Sequence, residues 1–262
     1  MPTRIDETFS RCREEGRSAL IPYFTSGHPE GKRPAEIMGA IAAAGADLIE
    51  LGIPFSDPLA DGPVIQASSF AALAAGASVA STLEGLREFR TGDPRTPVVL
   101  FSYLNPILAY GAESFVADAT AAGADGVLLT DLPVGADPAL EERMRVSSLD
   151  LIRLVAPTSG RSRVREIAND CSGFVYYISR TGVTGGESSL RGELDEEVQA
   201  VRHAVGLPVA VGFGIATPRQ ARWVAGLAEG VVVGSALVRA LDAGGLRAGT
   251  AFVRELRSAM EG

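Results

Sequence analysis

Short apolar runs rich in β-branched residues recur along the chain, each followed by a segment with helical periodicity. The runs occupy residues 19–24, 47–51, 97–101, 126–129, 149–155, 173–178, 207–211 and 230–233. They are apolar at successive positions instead of alternating, the pattern of parallel strands covered by helices. Amphipathic stretches rich in Ala, Leu, Arg and Glu lie between them, among them residues 34–44, 112–122, 161–168 and 218–225. The joints share a grammar: Gly45-Ala-Asp47 precedes one strand, Gly123-Ala-Asp125 another, and Gly226-Leu-Ala-Glu229-Gly230 the last. Gly45 and Gly123 fit the left-handed conformation that ends a helix and turns the chain into a buried strand.

Residues 1–16 read as an extra helix ahead of the first strand, and no linker or shift in composition marks a domain boundary. Eight βα units in one undivided chain predict a single (β/α)8 TIM barrel domain over residues 1–262, with an additional N-terminal helix. The alternative is an open doubly wound sheet. A Gly-x-Gly-x-x-Gly turn after the first strand would favour it, and none is present.

Composition narrows the chemistry. The 262 residues carry 24 basic and 32 acidic side chains, a formal net charge of −8. That balance argues against a nucleic-acid or anionic-membrane surface. Lys32 is the only lysine, and it precedes a helix where a buried imine has no place, so lysine-based aldol chemistry is disfavoured. Two cysteines, Cys12 and Cys171, make neither a disulfide framework nor a metal site on their own. No apolar run approaches a membrane span, and residues 1–16 lack the apolar core of a signal peptide. A cytoplasmic location is the expectation.

In a barrel the functional residues sit at the C-terminal ends of strands and in the following loops. Glu50 breaks an apolar strand there, and strand periodicity sets Leu48, Glu50 and Gly52 on one face. If that face is the lumen, Glu50 is either salt-bridged to a neighbouring strand or shifted in pKa for acid–base work. The stiff loop that follows holds Asp57 and Asp61. Asp57 reads equally as a turn-former before Pro58, and Asp61 as a cap for a helix with Pro63 in its first turn. Glycine-rich turns follow strands six to eight: Thr184-Gly185-Gly186, Gly212-Phe213-Gly214 and Gly234-Ser235. Three in consecutive loops point to a phosphate site, and Gly185-Gly186 reads as part of a lid. Of Tyr176 and Tyr177 one must face the lumen. Tyr23, Phe101, Tyr103 and Leu128 stand near strand ends, as pocket walls or as plain core. His28 and His203 are isolated and read as structural or surface residues.

The stretch Leu48-Ile-Glu50-Leu-Gly-Ile-Pro-Phe-Ser-Asp57-Pro-Leu-Ala-Asp61-Gly-Pro63-Val-Ile-Gln66 resembles the signature of the tryptophan synthase alpha chain family. Tyr176-Tyr-Ile-Ser-Arg180-Thr-Gly-Val-Thr184-Gly185 and Val211-Gly-Phe213-Gly214-Ile215 are similar to its later motifs, in the expected order. The resemblance implies a lyase that reversibly cleaves indole-3-glycerol phosphate to indole and glyceraldehyde 3-phosphate, with no metal or organic cofactor. It implies Glu50 as the acid–base group, Asp61 as acceptor of the indole N–H, and Tyr176 as the residue positioning Glu50 and the glycerol portion. Gly185, Phe213, Gly214, Gly234 and Ser235 would hold the phosphate, and Thr184 would close the lid towards Asp61. Tyr23, Ile65, Phe101, Tyr103 and Leu128 would line the indole pocket. Asp57 and Pro58 would face a pyridoxal-phosphate beta chain in an alpha2beta2 complex. His28 and Phe101 depart from the commoner residues of the family but touch no catalytic group.

Three other readings remain open at this point. One is a stand-alone lyase releasing free indole. A second is a non-catalytic barrel that only binds a phosphate ligand. The third, indole-glycerol-phosphate synthase, depends on strand-end lysines that this chain lacks.

Overall fold

The computed structural model describes residues 2–178, 189–212 and 214–261. Helix α1 (Arg4–Glu14) leads into β1 (Ala19–Thr25), α2 (Pro34–Ala43), β2 (Ile49–Gly52), α3 (Pro63–Ala74) and α4 (Val79–Gly92). There follow β3 (Val98–Ser102), α5 (Leu104–Tyr110), α6 (Ala112–Ala122), β4 (Gly126–Leu129) and α7 (Pro138–Val146). The remainder runs β5 (Asp150–Val155), α8 (Arg161–Asn169), β6 (Val175–Ile178), α9 (Ser189–Ala204), β7 (Val209–Gly212), α10 (Pro218–Ala225), β8 (Gly230–Val233) and α11 (Ser235–Glu261). The strands close a parallel barrel in sequence order, β8 returning to β1 with Ala19 opposite Gly230 and Pro22 opposite Val233. The eight-unit barrel with a leading helix expected from the apolar pattern is the observed one. The pattern did not foresee the doubled helices after β2 and β3, nor the break in α11 at Gly244 and Gly245.

Strand alternation sorts the core into two shells. Leu20, Ile49, Leu51, Val98, Leu100, Val127, Leu151 and Val209 pack outward against the helices. Ala19, Ile21, Leu48, Val99, Leu128, Ile152, Ala210 and Val232 fill the lumen. Helix α1 lies across the N-terminal mouth, where Ile5, Phe9 and Cys12 join the lumen cluster and the Phe9 ring lies 5.5 Å from that of Phe174. Its Thr3–Asp6 capping box fixes where it starts.

The joint grammar has a physical basis at this end. Asp47 accepts the Leu20 N–H of β1 at 2.9 Å, Asp125 the Val98 N–H of β3 at 2.7 Å, and Glu229 the Val209 N–H of β7 at 3.0 Å. Each acid therefore stitches its own strand to the preceding one, at a backbone donor left over where the ladder begins. Arginines neutralise them: Arg17 and Arg257 on Asp47, Arg4 and Arg90 on Asp125, Arg202 on Glu229. This is also why several strands start later than their apolar runs. Asp47 belongs to the joint, and its side chain replaces a ladder bond. Gly123 is the left-handed cap of α6 (φ 85°), and Gly45, just past the last residues of α2, has φ 109°.

Among the described residues no single helix is long and apolar enough to cross a membrane. The plug yields a first prediction. Phe9→Ala should cost about 3–5 kcal/mol of stability, read by urea unfolding. A loss below about 1 kcal/mol would contradict a packed closure of the barrel base.

Candidate active site

The phase that sends Leu48 into the lumen sends Glu50 there too, one layer higher and in register with Tyr23 of β1 and Val99 of β3. The side chain is 1% exposed, and its Oε1 has no hydrogen-bond partner among the described residues. Burial alone pushes the carboxyl up to about 8. Among the described residues no basic side chain forms a salt bridge with Glu50. Arg153, the basic residue within β5, faces the helices instead and binds Asp170, Glu141 and the Leu132 carbonyl.

Two tyrosines share this space because two strand-end glycines admit them. A Cβ at Gly52 would lie 2.2 Å from Tyr23 Oη, and one at Gly212 would lie 2.0 Å from Tyr176 Oη. Tyr176 is the inward member of its pair, packed on the lumen cluster, while Tyr177 turns outward and donates to Glu197 at 2.6 Å. Burial, with Glu50, Asp61 and Tyr23 nearby, holds the Tyr176 phenol well above its usual range. It stays a neutral donor.

The loop after β2 returns across the barrel mouth. Ile53 N–H donates to the Phe101 carbonyl at 2.8 Å, which carries the β2–β3 ladder one step into the loop. Gln66 of α3 reaches back to the Asp61 carbonyl at 2.9 Å. Asp61 does not cap α3. Gly62 occupies the cap, with Pro63 in the first turn, and the Asp61 carboxylate instead accepts from Tyr103 Oη at 2.9 Å. Burial raises Asp61 to about 6, while the Tyr103 hydrogen bond works the other way. Asp57 is exposed and behaves as a turn residue, accepting from the Ser56 hydroxyl at 2.6 Å. Pro58 is buried, so the apolar side chain presented at the loop tip is Leu59, 90% exposed.

Apolar walls complete the cup. Tyr23 and Phe101 meet edge to face at 5.2 Å, Ile65 and Val238 pack beside them, and Leu128 lies below in the lumen cluster. The Tyr103 ring lies 5.3 Å from that of Phe55, tilted by 38°, with its hydroxyl directed to Asp61. Gly214, at φ 77°, follows β7. Gly234 and Ser235 head α11, whose Val238 N–H bonds back to the Gly234 carbonyl at 3.1 Å. The N–H groups of the first turn are thus free of helical acceptors, the arrangement that binds anions. A Cβ on Gly234 would come 3.4 Å from the Tyr23 ring, so this turn adjoins the cup. Gly185, Phe213 and Thr184 lie outside the described residues.

Sequence reasoning missed a buried polar chain, Tyr23 Oη to Thr25 Oγ1 at 3.4 Å and Thr25 Oγ1 to Ser68 Oγ at 2.6 Å, which ties β1 to α3. The signal was available: Thr25 is polar on the inward phase of β1. His28, outside the cup chemistry, bonds Asp242 at 2.6 Å, and His203 bonds its own helix at the Gln199 carbonyl. Among the described residues no group of three or more His, Cys, Asp or Glu is placed to hold a metal.

A closed parallel barrel whose upper lumen holds a buried acid without a partner among the described residues, with a second acid and an aromatic cup at the same mouth, has the layout of a barrel enzyme. Comparison with known proteins narrows the class. The sequence profile of the family described as Tryptophan synthase alpha chain matches residues 9–261. The chain belongs to that family, whose members are lyases that cleave indole-3-glycerol phosphate in tryptophan biosynthesis. It is 49% identical to the tryptophan synthase alpha chain of Acidiphilium cryptum strain JF-5, over 92% of this chain and 88% of that one. It is 46% identical to that of Burkholderia cenocepacia strain J2315, over 99% and 97%. The crystal structure of tryptophan synthase subunit alpha from Legionella pneumophila superposes with a TM-score of 0.91 at 36% identity, covering 100% of this chain and 99% of that one. A Mycobacterium tuberculosis tryptophan synthase structure superposes equally well, with a TM-score of 0.91 at 36% identity, covering 100% and 99%.

Burial of Glu50 has a consequence for stability. The folded protein holds this proton up to about pH 8, whereas the unfolded chain releases it near the ordinary 4.5. Stability from this group is therefore full below pH 4.5 and lost as pH rises through about 8. Glu50→Gln should be more stable than the native chain at pH 9, by roughly 5 kcal/mol, with most of the gap closed by pH 5. Urea unfolding at the two pH values checks this, and parallel pH dependence in both proteins would contradict it.

Proposed function

We propose that Glu50, Asp61 and Tyr176 carry the cleavage of indole-3-glycerol phosphate in this chain. The observation that bears most weight is the unpaired Glu50 carboxyl, buried in the lumen beneath an aromatic cup. With its titration near 8, Glu50 is protonated at neutral pH and can give its proton to indole C3. The resulting indolenine is positively charged at nitrogen. Asp61, titrating near 6, is ionised at the same pH and accepts the indole N–H, stabilising that charge. The Glu50 carboxylate then takes the proton of the side-chain hydroxyl. The C–C bond breaks, its electron pair returns to the ring, and indole and the aldehyde of glyceraldehyde 3-phosphate are released. One proton is given and one is taken, so Glu50 ends as it began. The two carboxyls work because their environments push them apart around neutrality.

Tyr176, kept neutral by burial, positions Glu50 and the glycerol hydroxyls. Gly214, Gly234 and Ser235, with Gly185 and Phe213, hold the phosphate through backbone N–H groups and the head of α11, and Thr184 closes over the site. Binding the phosphate at a distance from the reacting carbon supplies positioning energy for the bond-breaking step.

The same reading gives the chain a beta-chain partner in an alpha2beta2 assembly in the cytoplasm, with indole passed on to it. Support comes from the loop tip: Leu59 is 90% exposed, and Leu108 on the nearby α5 is 48% exposed. Exposed leucines beside a stiff loop suit burial against a partner. Indole release measured with and without a beta chain separates this from a stand-alone lyase, which would show no stimulation.

Two expectations follow for kinetics. Glu50→Gln should fold and lose cleavage by a factor of about 10² or more; near-native turnover would remove Glu50 from its role. kcat/KM against pH should be bell-shaped, with limbs near 6 and 8, and Asp61→Asn should abolish the acid limb. A flat profile between pH 5 and 9 would refute the division of labour.

A further inference from the structure

We infer that Tyr103 is a positioning residue: its phenol fixes the aim of the Asp61 carboxylate and ties it to the seat of the exposed Leu59 loop. This rests on the role given to Asp61 above. The directions of the two hydrogen bonds at Tyr103 follow from chemistry. The Ala60 N–H can only donate, and it meets Tyr103 Oη at 2.9 Å. The single phenolic proton is then directed to Asp61 Oδ2, also at 2.9 Å. One buried oxygen therefore holds both the residue after Leu59 and the neighbouring carboxylate.

The phenol is fixed from the barrel side. Tyr103 is 5% exposed, its ring lies 5.3 Å from that of Phe55, and it is the last residue before α5. The first N–H of α5, on Leu104, is capped by Asp131 Oδ1 at 2.7 Å. The backbone of Asp61 is held separately, by the Pro58 carbonyl accepting its N–H and by Gln66. Tyr103 thus sets the side chain while α3 and the loop set the main chain. Glu50 of β2, Tyr23 of β1 and Tyr176 of β6 face the same space, so the Tyr103 O–H is the described donor that meets Asp61 directly. A hydrogen bond to the ionised form favours that form.

The test is the carboxyl titration of Asp61 in ¹³C-Asp-labelled protein, native and Tyr103→Phe, with the melting temperature as a control for folding. The variant should raise the Asp61 midpoint by about one pH unit and speed hydrogen exchange at the Ala60 amide. The acid limb of kcat/KM should move with the midpoint, and adding Tyr103→Phe to Asp61→Asn should change little further. If Tyr103→Phe is poorly folded, 3-fluorotyrosine at position 103, a stronger donor, should lower the midpoint instead. An unmoved midpoint together with an unchanged Ala60 exchange rate overturns the inference. Full activity in Asp61→Asn would instead overturn the function proposed for Asp61, while the titration would still judge the contact itself.

Discussion

Taking a carboxylate out of water costs several kcal/mol unless a partner compensates it, and Glu50 has no such partner among the described residues. That one uncompensated group constrains the rest of the upper barrel. The lumen below it must be dry, so α1 closes the base with Ile5, Phe9 and Cys12. The space beside it must take neutral donors, so the near neighbours are the phenols of Tyr23 and Tyr176, raised by burial and kept protonated. In the mechanism proposed for this site the second acid must stay ionised at the pH where the first is not, and the Tyr103 hydrogen bond pulls Asp61 in that direction.

The two ends of the barrel treat acids in opposite ways. At the base, Asp47, Asp125 and Glu229 each bind a strand N–H and at least one arginine. At the mouth, Glu50 and Asp61 take no arginine among the described residues and sit instead among aromatic rings. The first arrangement stabilises the fold, and the second leaves proton affinity adjustable for chemistry. The imbalance of one lysine among 24 basic residues fits this division. Planar guanidinium groups suit bidentate, half-buried structural pairs, and the proposed proton chemistry falls to carboxyls.

Strand order, and the face that Glu50 shares with Leu48, were legible from the chain because apolar runs and a period of two report directly on parallel strands; that this face is the lumen came from the structure. Two of the joint acids, Asp47 and Asp125, were visible as a repeated Gly-Ala-Asp pattern, although the bonds of all three to the preceding strand appeared only in three dimensions. Asp61 was ambiguous for a physical reason. An aspartate two residues before Pro63 looks like a helix cap, and only in three dimensions does Gly62 take that role while Tyr103, just past β3, draws the Asp61 side chain away. Tyr103 read as an apolar wall because sequence does not reveal where a phenol hydroxyl points. Pro58 read as partner-facing, yet it is buried and Leu59 is the side chain presented. The Thr25–Ser68 contact, between residues far apart in the chain, had no local signature beyond a polar residue on an inward phase.

Burial pushes the Glu50 carboxyl up to about 8 and so keeps it protonated at neutral pH. Infrared difference spectroscopy of the protonated carboxyl stretch, native minus Glu50→Gln across a pH series, tests it most directly. A band assigned to Glu50 should persist through pH 7 and be half lost near pH 8. A midpoint near the ordinary 4.5 would show Glu50 ionised at neutral pH and would contradict the account.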